Sequence, residues 1–297
     1  MNAIVGTLFE GGYHTGAAAL LNSLHAAGFR GTFVCGHRGP VPQWAEASRA
    51  VMDVRFVQVD TTVHLTYHKP DFLQTLLSLD NGYADQVFYF DPDIVTIAPW
   101  EVLSRWAADG VALCEDVNNY IPARHPYRLR WGDFLRSNSI EVTRQLDRYY
   151  NAGFIGLPRA EAPLLEHWRR VNSLCIAVSG TASKLKLSGP NELFHSTDQD
   201  ALNLALMSSS APINGAGPES MGFAPGGHLL AHAVGRHKPW SGGFLRAALR
   251  GTPPSSAQKA FFRYASGPVP VFRRSQLQRL RCSLLAAALL GRLYRRA

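Results

Sequence analysis

Hydrophobic and polar positions along this chain switch between two periods. Short apolar runs rich in β-branched and aromatic residues stand at 3–8, 32–35, 54–59, 87–90 and 111–114. Runs of this length and composition read as buried strands. Between them the apolar spacing turns helical, as in Gly16-Ala-Ala-Ala-Leu-Leu-Asn22-Ser23-Leu24 and again from 72 to 79. Strand alternating with helix predicts an α/β fold, a mixed and mostly parallel sheet with helices on both faces. At 297 residues the chain can bury a sizeable core, and neither an internal repeat nor a low-complexity tract interrupts it. Segment 241–254, rich in Gly, Pro and Ser, predicts a linker, dividing a body (1–250) from a tail (251–297).

Candidate chemistry appears first where the run 87–90 ends, at Asp91-Pro92-Asp93. Proline removes a backbone donor and stops the strand there. Ligands of open α/β sheets collect outside the carboxyl ends of strands. Two carboxylates at such an edge repel each other unless a cation lies between them. Their hard oxygens suit Mg²⁺ or Mn²⁺, and such an ion can carry a diphosphate. A strand-ending turn competes for this motif taken alone. A second segment, His232-Ala-Val-Gly235-Arg-His-Lys238-Pro239-Trp240, weighs against that reading. His232 can complete a metal site, Gly235 lets backbone approach a phosphate, and Lys238 adds a point charge.

Together the Asp-x-Asp and His-x-x-Gly-x-x-Lys-Pro-Trp elements resemble the retaining glycosyltransferases of family 8. That group has a GT-A fold and includes glycogenin and bacterial lipopolysaccharide galactosyl- and glucosyltransferases. The resemblance runs from about Ala3 to Trp240. It implies a metal-dependent transfer of a hexose, with retention, from a UDP-sugar to a hydroxyl of a glycan or lipid-linked acceptor. Asp91, Asp93 and His232 would be the metal ligands. Thr7 and Tyr13, in the opening strand, Gly-rich turn and helix, would hold the uridine, Tyr13 by stacking on the base. Lys69, in His68-Lys69-Pro70, would reach the donor, although the proline departs from glycogenin-like members. Asn151 and Gly153, in Tyr150-Asn-Ala-Gly-Phe-Ile-Gly156, would face the hexose. Asp198 and Gln199, in Thr197-Asp-Gln-Asp-Ala-Leu-Asn203, would be the catalytic pair, with Asp198 on the sugar and Gln199 beneath the anomeric carbon. Part of that last motif also suits the capping of a helix start. Gln199 is a neutral amide and a poor nucleophile, which favours a front-face route over a covalent sugar intermediate.

Charge adds a candidate surface. The chain carries a net charge of +8, and after Asp200 its sole acidic residue is Glu219. Arg273, Arg274, Arg279, Arg281, Arg292, Arg295 and Arg296 flank the apolar stretch 284–290. An apolar centre between arginine-rich ends fits a helix lying on an anionic membrane, against the plainer reading of a helix packed on the body. No nucleic-acid reader motif accompanies the charge, so no nucleic-acid partner is expected. Cys35, Cys114, Cys175 and Cys282 show no zinc or redox spacing. With no signal peptide and no spanning run, the expectation is a cytoplasmic protein, peripheral on the inner face of the membrane. The Tyr-, Trp- and Arg-rich segment 118–136 is expected to form an acceptor wall, and segment 179–190 a loop beside it. Two rival functions stay open. One is a non-catalytic nucleotide-sugar-binding or membrane scaffold; the other is a metal-dependent phosphoesterase or nucleotidyltransferase.

Overall fold

The structure is a computed structural model and describes residues 2–79, 82–180, 182, 192–235 and 237–294. Its strands are β1 (Ala3–Glu10), β2 (Thr32–Arg38), β3 (Val54–Gln58), β4 (Gln86–Phe90), β5 (Ile94–Thr96), β6 (Val111–Glu115), β7 (Tyr150–Pro158), β8 (Ile213–Ala216) and β9 (Leu230–His232). Helices α1 (His14–Ala26), α2 (Ala45–Arg49), α3 (Lys69–Leu79), α4 (Trp100–Trp106) and α5 (Pro126–Ser137) belong to the first half. The second half adds α6 (Pro163–Ser179), α7 (Thr197–Met207), α8 (Phe244–Leu249), α9 (Ser256–Tyr264) and α10 (Arg274–Tyr294).

The main sheet runs β3-β2-β1-β4-β7-β6-β8. Strands β1 to β4 are parallel, β7 is antiparallel to both neighbours, and β8 is parallel to β6. Chain order reverses between β1 and β4, which makes their carboxyl ends the switch point where such sheets bind ligands. The period of two divides the core. Val87 and Tyr89 pack with residues of α3, α6 and α7, while Phe88 and Phe90 pack with residues of α1 and α4. Helix α3 lies close on the sheet because Gly6 and Gly36 carry no side chain. A Cβ at either would stand 2.7 Å from an edge carbon of Phe72.

Helix α3 begins at Lys69, three residues before the start that the apolar spacing predicts. Pro70 falls in its first turn, where a missing N–H costs nothing. The expected linker 241–254 is likewise corrected: it contains α8, with Phe244 and Ala248 buried one turn apart. Residues of α8, α9 and α10 share a core with Val95 and Ala231 of the small β5-β9 sheet. The buried Asn22 amide fastens this region to α1, donating to Tyr264 O (2.9 Å) and Val269 O (2.8 Å) and accepting from Val269 N (3.0 Å). Among the described residues no helix is long and apolar enough to cross a membrane. Most of the expected loop 179–190, together with Arg295 and Arg296, lies outside the described residues.

Candidate active site

Strand β4 ends at Phe90, and Asp91 and Asp93 follow in a turn closed by Ile94 N donating to Asp91 O (3.0 Å). The chain then re-enters as β5, which pairs antiparallel with β9, placing Ile94 opposite His232. Ala233 N donates to Asp93 O (2.9 Å) just beyond. This small sheet carries His232 Nε2 to 3.2 Å from Asp93 Oδ1. Asp91, Asp93 and His232 each offer a ligand atom, all within 4.8 Å of one another. Two hard carboxylates and one borderline imidazole could hold a divalent cation. The buried His232 Nδ1 has no hydrogen-bond partner among the described residues.

Gly153 makes the convergence possible. A Cβ there would lie 2.7 Å from His232 Cε1, 2.8 Å from Asn151 Oδ1 and 2.9 Å from Asp91 Oδ2. Its carbonyl also accepts from Asp91 N (2.7 Å), tying β7 to the turn. Asn151 is occupied within the protein: Nδ2 donates to Asp116 Oδ2 and Oδ1 accepts from Gly153 N, both at 2.8 Å.

Lysines balance the carboxylates. Lys69 is buried and donates to Ala152 O (2.8 Å), with Asp91 Oδ1 at 3.2 Å and Asp198 Oδ2 at 3.5 Å. Burial disfavours its charge, but Asp91 and Asp198 outweigh burial and raise its pKa. Lys238 donates to Asp93 Oδ2 and to Ala233 O (3.1 Å). Burial also works against a charged Asp93, yet His232 and Lys238 hold that carboxyl well below its usual range. For Asp198 burial prevails and pushes the carboxyl up, despite Lys69.

Behind these groups lies a buried polar network. Gln199 Oε1 accepts from Ala152 N (3.2 Å). Tyr149 donates to Asp200 Oδ1 (2.6 Å), while Asp200 Oδ2 accepts from His195 N (2.7 Å) and Ser196 N (2.9 Å). Asp200 thus takes the capping share of its motif. Burial raises its carboxyl to about 7.

Tyr13, Asp91, Asp93, His232, Gly235 and Lys238 line one cleft together with Leu8, Phe9 and Glu10 of β1. Lys69, Asn151, Gly153, Asp198 and Gln199 gather behind it. Thr7 does not reach the cleft: it is fully buried within β1, its hydroxyl unpartnered among the described residues, because the strand runs on to Glu10. Sequence reasoning missed Tyr89, whose hydroxyl donates to Asp91 Oδ1 (2.8 Å). Strand alternation carried that signal, since positions 89 and 91 share a face. It also missed His64, Leu65 and Thr66 on the rim. Arg38 brings them there by pairing with Glu10 (2.6 Å) and donating to Thr61 O and Val63 O (3.1 and 3.2 Å).

No family model and no curated protein matches this sequence. Solved structures do resemble it. One is the galactosyltransferase LgtC in complex with donor and acceptor sugar analogues, with a TM-score of 0.57 and 16% identity, covering 92% of this chain and 98% of that one. Another is an active-site glutamine-to-glutamate mutant of LgtC, with a TM-score of 0.54 and 15% identity, covering 88% of this chain and 95% of that one. The chain therefore has the GT-A fold of LgtC, a mixed and mostly parallel α/β sheet followed here by a C-terminal helix.

Proposed function

We propose that this protein is a retaining glycosyltransferase of family 8 that moves a hexose from a UDP-sugar to a hydroxyl of a glycan or lipid-linked acceptor. The observation that carries this reading is the meeting of Asp91, Asp93 and His232 at the mouth of a cleft rimmed by Tyr13, Gly235 and Lys238. Likeness to a fold solved with donor and acceptor sugar analogues supports it.

A Mn²⁺ or Mg²⁺ ion held by Asp91, Asp93 and His232 would neutralise charge on the leaving diphosphate. Lys238 donates to the phosphate oxygens and Gly235 lets the backbone approach them. Tyr13, half-exposed beside Trp240, offers its ring to the base. Lys69 holds Asp91 and Asp198 in register from beneath, and Asp198 accepts from the donor sugar. Gln199, a neutral amide whose Oε1 accepts from Ala152 N, stands under the anomeric carbon. That favours a front-face displacement, with a phosphate oxygen of the leaving group taking the acceptor's proton. The acceptor wall is segment 118–136, where Tyr127 and Trp131 border a small cavity that reaches His195 and Asp200.

The C-terminal helix adds a surface for a membrane. Helix α10 packs one side on the body and exposes Leu285, Leu289 and Leu293 as an i, i+4, i+8 stripe. Arg274, Arg279 and Arg292 stand exposed on the same helix. An apolar stripe with basic flanks suits an anionic bilayer surface.

Asp91→Ala and Asp93→Ala test the reaction. Each should lower sugar transfer by about 100-fold or more, as expected when a ligand of an essential ion is removed. Near-wild-type turnover in either variant sinks the metal assignment. Product analysis separates the rival enzyme class, which would release a nucleoside monophosphate instead of UDP.

A further inference from the structure

Three carboxylates, Asp91, Asp93 and Asp198, converge at one sheet edge, and two lysines answer them in different ways. Lys69 is 1% exposed, shared among Ala152 O, Asp91 and Asp198, and seated 5.2 Å over the Tyr89 ring. It is fixed. Lys238 serves a single carboxylate, that of Asp93, and lines the open cleft. Its loop starts at Gly235 (φ +95°) and ends at Gly242 and Gly243 (φ +70° and +73°), left-handed positions that favour glycine. Its ammonium also lies 5.8 Å from the centre of the Tyr13 ring, on the side where a base and diphosphate would arrive.

We propose that Lys238 is a built-in substitute for the divalent ion: it occupies Asp93 in the free protein and passes to the diphosphate when nucleotide binds. This rests on the metal–diphosphate reading above. An ion bound to Asp93 sits about 2.1 Å from a carboxylate oxygen. The Lys238 ammonium is hydrogen-bonded to that same carboxylate, so two cationic centres would crowd one anion and repel each other. A diphosphate relieves the conflict, because it gives the lysine a new anionic partner and the ion further oxygens. The ion therefore binds weakly alone and tightly with nucleotide. By linkage the nucleotide gains the same factor from the ion.

The test is Mn²⁺ binding, followed by calorimetry and by the electron paramagnetic resonance of free Mn²⁺, with and without UDP. It uses the wild-type protein, Lys238→Met and Lys238→Arg. In the wild type, UDP should tighten Mn²⁺ binding about tenfold or more. Lys238→Met should bind Mn²⁺ alone about tenfold more tightly than wild type and gain less from UDP. Lys238→Arg keeps the charge and should bind Mn²⁺ alone as weakly as wild type. Lys238→Met binding Mn²⁺ alone no more tightly than wild type overturns the proposal. So does a wild-type protein that binds Mn²⁺ equally with and without UDP, a result that needs no variant. Wild-type protein binding no Mn²⁺ under either condition removes the metal reading itself.

Discussion

Single residues decide whether the acidic pair can act as a site. Gly153 is the clearest case, since any side chain there would enter the space between Asp91 and His232. Gly153→Ala should keep the fold and lower Mn²⁺ affinity about 10- to 100-fold, the usual cost of disturbing what orients metal ligands. Calorimetry with Mn²⁺ and UDP checks it. Asp200 makes a separate prediction about pH. Its carboxyl titrates at about 7 in the fold against 3.8 as its ordinary value. Below the ordinary value both folded and unfolded chains hold the proton, and the contribution is fully present. Between the two values the unfolded chain gives up a proton that the folded one keeps, so stability falls as pH rises and levels off above 7. Asp200→Asn mimics the protonated form, accepting from the two backbone N–H groups and donating to Tyr149. The difference between wild-type and variant urea midpoints should change across this window and be flat outside it. At this scale the sequence was legible where a residue type has one strong use, as at Asp91, Asp93 and His232. Tyr89 escaped notice because an aromatic in an apolar strand looks like core until its hydroxyl is placed.

Elements bring those residues together. The pairing of β5 with β9 sets His232 beside Asp93, and nothing in a linear pattern announces two three-residue strands so far apart. Motif resemblance supplied the pairing of roles; the strand register supplies its cause. Helix α7 is held to β7 by Asn203, which donates to Tyr150 O (2.8 Å) and Gln199 O (2.9 Å) and accepts from Tyr150 N (2.9 Å). Asn203→Ala would orphan these buried groups at about 1–3 kcal/mol each. Chemical unfolding should show a clear loss of stability, accompanied by loosening of Gln199 and Asp198. Helix α8 was missed because Gly and Pro dominate its flanks and only Phe244 and Ala248 mark its buried side. Strands β1, β2, β3, β4 and β6 were legible to within a few residues, since continuous apolar runs in a doubly covered sheet leave little ambiguity, whereas β7 and β8 were not among the predicted runs.

Across the whole molecule, strand–helix alternation foretold the layered fold, and the switch point between β1 and β4 lies where the motifs indicated chemistry. Composition said less about the C-terminal region, whose helix has both a packed face and an exposed one. Charge is what distinguishes its exposed face: no acidic residue follows Glu219. Each basic residue near an anionic surface is worth about 1 kcal/mol. Wild-type protein should float with phosphatidylglycerol vesicles at low salt and be released at high salt. Replacing Leu285, Leu289 and Leu293 by Ser should abolish flotation while leaving donor turnover intact; flotation unchanged by those substitutions would assign the helix to packing alone. Catalysis is tested by UDP release from a panel of UDP-sugars, with Mn²⁺ and with EDTA. Release is expected from one donor, requiring Mn²⁺, stopping with EDTA and lost in Asp93→Ala. Release indifferent to EDTA, or failure of every UDP-sugar together with no calorimetric binding of UDP, would overturn the assignment of a metal-dependent UDP-sugar transferase.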